Sequence, residues 1–110
     1  MTGLTTGQFA ELPQGIRLHY AACGTRGAPL LLCLHGFPEY WAAWEGLMPS
    51  LADGHYVVAP DLRGFNLSSQ PTEVAAYRAR EIVGDLAALV QVLGYRDATV
   101  VAHDWGGAVA

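Results

Sequence analysis

Hydrophobic and polar positions divide the chain into short apolar runs and longer stretches at helical spacing. Phe9-Ala10-Glu11-Leu12 reads as a first edge strand. Gly15-Ile16-Arg17-Leu18-His19-Tyr20 alternates apolar and polar, which predicts a half-exposed strand with His19 turned outward. Gly24 to Pro29 reads as a turn. Leu30 to Leu34 is apolar on both faces, as a central strand of a parallel sheet covered by helices must be. Trp41, Trp44, Leu47, Met48 and Leu51 recur at helical spacing, so a helix is expected there, with Pro49 in a first turn or at a kink. His55 to Pro60 predicts another buried strand, ending at Asp61. Ile82, Leu86, Leu89 and Leu93 mark a helix, with Val83 and Val90 one residue on and Gly94 closing it at C′. Ala98 to Ala102 is a fifth strand. Strands alternating with helices give an α/β fold, a mostly parallel sheet with helices on both faces.

The sequence has 110 residues, 52% of them apolar and 15% charged, a balance that excludes a disordered chain. So apolar a composition suits the interior of something larger. After Gly107 come only Ala108-Val109-Ala110, a helical turn too short to hold itself. Residues 1–110 therefore read as an incomplete part of one core domain. The six bases are all Arg and the formal charge is −4, with no basic stripe, so nucleic acid is not an expected partner. No signal peptide or membrane span is visible, and Cys23 and Cys33 read as buried free thiols rather than a disulfide. A cytoplasmic location is the expectation. No spacing of His, Cys and acids suits a metal, and no glycine loop suits a phosphate; neither metal nor cofactor is expected.

Candidate chemistry lies where strands end. Asp104 follows the fifth strand and precedes Gly106 and Gly107, the strand–turn–helix setting of a nucleophile elbow. Such a turn lifts its central side chain clear of the sheet and needs small residues two positions away, here Ala102 and Gly106. With Asp in place of the usual Ser, an ionised carboxylate can attack an sp³ carbon directly, whereas attack on an ester would give an unstable anhydride. Alone, Asp104 reads equally as the cap of the next helix. His35-Gly36-Phe37-Pro38 follows the central strand, and its loop can aim the Phe37 N–H into the space above Asp104 beside that of Trp105. Two converging N–H groups form an oxyanion hole. Alone, that stretch is also an ordinary Gly-Pro turn.

These two loops, with Asp61-Leu62-Arg63-Gly64-Phe65-Asn66-Leu67-Ser68 and Pro71 between them, resemble the α/β-hydrolase fold and, more narrowly, the soluble epoxide hydrolases and their dehalogenase relatives. The resemblance runs from about Gly15 to Ala110. It implies Asp104 as the nucleophile that opens an epoxide through an alkyl-enzyme ester. It implies Phe37 and Trp105 as oxyanion-hole N–H donors, and Phe37, Pro38 and Trp105 as the lining for a small apolar substrate. Structural support would come from His35, Gly36 and Gly106, with His35 bracing the loop, and Asp61 and Arg63 would form a polar pair fixing the loop after their strand. Where the family usually has Gly, this chain has Ala102 and Asn66; Asn is the non-glycine residue most at home at positive φ. His19, His55 and His103 are expected to be structural or surface residues, and Tyr20, Tyr40, Tyr77 and Trp41 core or rim residues.

The resemblance also implies a water-activating His with an acid partner and two cap tyrosines, all later in sequence than Asp104. It thereby implies that residues 1–110 are the incomplete N-terminal part of a single core domain, inactive alone and, with the Ala98–Ala102 strand left unpaired at its edge, poorly soluble or oligomeric when isolated. A dehalogenase would use the same Asp on a carbon–halogen bond. Haloalkane members commonly carry Asn at the position of Phe37, and haloacid members an Arg at that of Trp105, so both positions favour the epoxide. A non-catalytic binding module keeping part of the fold is the alternative of another class.

Overall fold

The computed structural model describes residues 4–35, 40–73 and 77–102. Five strands, β1 (Thr5–Glu11), β2 (Arg17–Gly24), β3 (Leu30–Leu34), β4 (Tyr56–Pro60) and β5 (Thr99–Ala102), form one sheet in the order β1-β2-β4-β3-β5. β3 lies parallel to both β4 and β5, β2 runs antiparallel to β4, and β1 antiparallel to β2. Every strand except β2 therefore points the same way, and the sheet is mostly parallel as the sequence predicts. The chain crosses from β3 to β4 through a 3₁₀-helix (Trp41–Trp44) and the short α1 (Met48–Leu51). It crosses from β4 to β5 through α2 (Ala79–Val92).

Alternation along the strands divides the core between the two faces of the sheet. Leu18, Tyr20, Leu30, Leu32, Leu34 and Val58 pack toward α2, against Ile82, Leu86 and Leu89. Ala21, Cys23, Leu31, Cys33, Val57 and Ala59 form the other core with Trp44 and Met48. Both cysteines are buried, and they form no disulfide with each other. Gly94, at φ 88°, turns the chain out of α2 where a helix-ending glycine is expected. Beyond the α2 stripe, Val83 and Val90 line an open apolar groove with Leu86 and Val100. No helix among the described residues is long and apolar enough to cross a membrane.

Two expectations are corrected. The stretch from Trp41 to Leu51 is not one helix. Glu45 N–H bonds to Ala42 and Leu47 N–H to Trp44, both tight i→i−3 bonds, and a new α-turn opens at Met48 with Pro49 in its first turn. Proline has no N–H to offer Glu45, and its ring would meet that carbonyl, so of the two places open to Pro49 the chain takes the first turn of a new helix rather than a kink. Leu47 is consequently exposed, while Trp44 and Met48 are buried. The second correction is to β2, which is buried throughout except at Arg17 and Gly24, because β1 and β4 flank it and both its faces are covered. His19 points inward and is 2% exposed.

Candidate active site

Parallel strands bring their carboxyl ends to one rim of the sheet, and open α/β sheets bind ligands in the crevice where strand order reverses. Here the chain passes from β3 to β4 on one side and from β4 to β5 on the other. Leu34 is the register partner of Ala102, so the residues after β3 and those after β5 leave the sheet from paired positions. Phe37, Pro38 and Gly36 follow the first exit. Asp104, Trp105 and Gly106 follow the second, with His103 between. All seven lie outside the described residues. The described residues at this rim are His35, the segment from Asp61 to Ser68, and the start of the 3₁₀-helix.

His35 is fully buried and accepts the Leu62 N–H at Nε2 (3.0 Å), with the Phe65 ring edge-on at 4.8 Å between centroids. That nitrogen carries a lone pair, and the bond ties the exit of β3 to the exit of β4.

Asp61 is also fully buried. Its Oδ1 accepts the Trp41 N–H at 2.8 Å, and its Oδ2 accepts His19 Nδ1–H at 2.8 Å and Asn66 Nδ2–H at 2.9 Å. The His19 tautomer follows from its other nitrogen, since Nε2 accepts the Gly7 N–H at 3.0 Å and must carry the lone pair. Gly7 sits at φ 72° in an irregularity of the β1–β2 pairing between Thr5 and Gln8. Ser68 completes the cluster: its hydroxyl accepts the His19 N–H (2.9 Å) and donates to the Asp61 carbonyl (2.6 Å). Asn66 holds φ 45°, the positive value its residue type suggests.

Asp61 and Arg63 do not pair with each other, against expectation. Asp61 leaves β4 on the face of the 3₁₀-helix, whereas Arg63, past the strand end, reaches α2. There its Nε and Nη2 donate to Asp85 at 2.7 and 2.6 Å, a two-pronged bond between residues 5% and 1% exposed. The Asp85 carboxylate pushes the Arg63 pKa up, against the opposing effect of burial. Gln14 adds a third bond to Asp85 at 3.0 Å. Gly64 holds φ 90°, and a Cβ there would stand 2.5 Å from the Tyr77 ring, which would have to shift to admit it.

The Asp85 and His19 contributions escaped sequence reading. Asp85 stands among the apolar positions of α2, and an acid at such a place signals a buried partner. His19 carried no comparable signal, because its partners come from three separate segments. Among the described residues no group of His, Cys and acids could hold a metal ion.

Known proteins resemble this chain in sequence and in fold. The chain is 46% identical over 95 residues to epoxide hydrolase 1 of Caenorhabditis elegans, covering 86% of this chain and 24% of that protein. It is 45% identical over 97 residues to an AB hydrolase superfamily protein of Bacillus subtilis, covering 87% and 34%. Among solved structures, epoxide hydrolase A from Mycobacterium thermoresistibile superposes with a TM-score of 0.90 at 36% identity, covering 99% of this chain and 33% of the other. An epoxide hydrolase from an endophytic Streptomyces gives 0.91 at 41% identity, covering 98% and 32%. The chain thus spans a quarter to a third of the length of these relatives. Residues 29–110 match the α/β hydrolase fold family, and the chain belongs to that family.

Proposed function

We propose that the whole protein opens small apolar epoxides to diols, with Asp104 as nucleophile. The observation that carries this reading is the pairing of Leu34 with Ala102, which supports bringing the His35–Pro38 stretch beside the turn that holds Asp104. The names of the relatives point to the same substrate class. In the first step a carboxylate oxygen of Asp104 bonds to an epoxide carbon. The carbon–oxygen bond breaks, and the freed oxygen takes a proton from an acid of the whole protein. In the second step water, deprotonated by a base, attacks the ester carbonyl. The tetrahedral oxyanion is held by the Phe37 and Trp105 N–H groups, and collapse releases the diol and restores the carboxylate. His35 braces the oxyanion loop from β4, while Phe37, Pro38 and Trp105 line the pocket. Turnover requires the base, so residues 1–110 alone are expected to be inactive. Two buried cysteines that form no disulfide agree with a reducing compartment, and we place the protein in the cytoplasm.

Single turnover with the full-length protein in excess over an aryl epoxide in ¹⁸O-water tests this. The ester route delivers an oxygen of Asp104 to the first diol, which is therefore unlabelled. A labelled first diol would mean direct water attack and defeat the proposal. Halide release from a haloalkane without diol from any epoxide would assign the dehalogenase reaction instead.

A further inference from the structure

We propose that Asp61, held by His19, is a positioning residue for the oxyanion-hole loop and governs ester hydrolysis rather than epoxide opening; this rests on the function proposed above. The loop that carries Phe37 begins after His35 and rejoins described structure at Tyr40-Trp41. Its two flanks are held by consecutive residues of one backbone segment: the Leu62 N–H binds His35 Nε2 at 3.0 Å, and the Asp61 carboxylate binds the Trp41 N–H at 2.8 Å. Trp41 opens the 3₁₀-helix, and its preceding residue, Tyr40, supplies no side-chain cap. The cap comes from Asp61, twenty residues along the chain.

A carboxylate is a costly choice for this duty. Taking it out of water is unfavourable unless its oxygens are satisfied. The three donors on Asp61 carry no formal charge, because the bond from Gly7 keeps His19 neutral. Two oxygens that both accept are what the site uses: one faces Trp41 and the other faces His19 and Asn66. An amide cannot satisfy both sides. With its oxygen toward His19 and Asn66 it keeps two bonds and turns an NH₂ toward the Trp41 N–H. With the opposite orientation it keeps one bond and meets two donors. Asp61→Asn therefore releases Trp41 selectively, with almost no change in shape.

The consequence differs between the two chemical steps. Alkylation of Asp104 places no charge on the carboxyl oxygen that the hole receives, whereas hydrolysis of the ester does. A loop freed at one flank misplaces the Phe37 donor and slows hydrolysis while leaving alkylation in place. Loss of a single oxyanion-hole donor lowers turnover by about 10²–10³, so a donor displaced but retained is expected to lower hydrolysis about 10- to 100-fold.

The test mixes full-length wild type and Asp61→Asn with an aryl epoxide, quenches over time, and reads the ester as added mass on the intact protein. Hydrogen exchange of the Trp41 amide is read in parallel without substrate. Expected in the variant are ester accumulation, hydrolysis 10- to 100-fold slower, alkylation within threefold of wild type, and Trp41 exchange at least tenfold faster. A general loss of structure would slow both steps together. Equal slowing of both steps, or unchanged Trp41 exchange in a folded variant, overturns the inference. If wild type forms no ester, the proposed function fails, and Trp41 exchange still decides whether Asp61 holds the loop. If Asp61→Asn does not fold, Asn66→Gly takes its place. Glycine keeps the positive φ and deletes one tether of the carboxylate, with the same split between steps expected at two- to fivefold; no split overturns the inference.

Discussion

Arg63 and Asp85 offer the sharpest test of what holds the β4 exit against α2. The pair is buried, two-pronged and short, with Nε–Oδ2 and Nη2–Oδ1 distances of 2.7 and 2.6 Å. Removing one partner of such a pair leaves a charge in a low-dielectric site, which costs about 3–5 kcal/mol, whereas replacing both with apolar residues of similar size is often neutral or stabilising. Asp85→Ala is therefore expected to lower unfolding free energy by about 3–5 kcal/mol, because the Arg63 guanidinium loses its carboxylate. Arg63→Met is expected to cost a similar amount, since the Gln14 amide then remains as the donor named for Asp85. The double variant Arg63→Met/Asp85→Leu is expected within about 1–2 kcal/mol of wild type. Urea unfolding of the four full-length proteins closes the cycle. Arg17 and Glu11 provide the contrast: their side chains are 57% and 67% exposed, and breaking that pair is expected to change stability by less than about 1 kcal/mol after solvent screening. Single losses at Arg63 and Asp85 that are as small as those at the surface pair, or that simply add in the double variant, would refute the account.

Two further perturbations follow from the core. Burial pushes the Cys33 thiol up to about 11 from the usual 9. Unfolding therefore releases a proton in that range, and stability present below pH 9 declines as pH rises through 11, by at most about 2–3 kcal/mol. The difference in alkaline slope between wild type and Cys33→Ala in urea unfolding isolates this contribution from that of Tyr56, whose pKa burial also raises. Gly24 has φ 101°, and a Cβ there would stand 2.2 Å from the His55 carbonyl oxygen, while Gly15 at φ 80° faces open space. Gly24→Ala is expected to cost at least about 2 kcal/mol more than Gly15→Ala, measured in the same unfolding assay, because backbone must move as well as adopt a strained φ.

What sequence could reveal here depended on how local the determining interaction was. β3 and β4 are uninterrupted apolar runs, and α2 is an apolar stripe ended by glycine, so each is legible within its own dozen residues. The positive φ of Asn66 was legible from its residue type at a position where the resembling family usually has glycine. The break at Pro49 was visible as a possibility, yet the exposure of Leu47 required knowing that the chain would tighten into a 3₁₀-helix. His19 was misjudged because periodicity registers a polar side chain and says nothing of a carboxylate 42 positions away that makes its burial favourable. The same blindness joined Asp61 to Arg63, two residues apart, when their partners lie on opposite faces of the sheet. Asp104 and Phe37 were legible as motifs in a given order; the strand register supports their neighbouring exits, and their geometry lies outside the described residues.

The segment Asp61-Leu62-Arg63 joins two different tasks within three residues. Through Arg63 it binds α2 on one face of the sheet. Through Asp61 it binds Trp41 on the other face, and through Leu62 it binds His35, so both flanks of the loop that carries Phe37 are held. A substitution at Asp85 should therefore act on stability, leaving the ratio of alkylation to hydrolysis near that of wild type in whatever fraction remains folded. A substitution at Asp61 should act on the ratio itself. If Asp85→Ala shifted the ratio as strongly as Asp61→Asn, the two faces would be mechanically coupled through Leu62, and the loop would be set by the whole β4 exit rather than by one carboxylate.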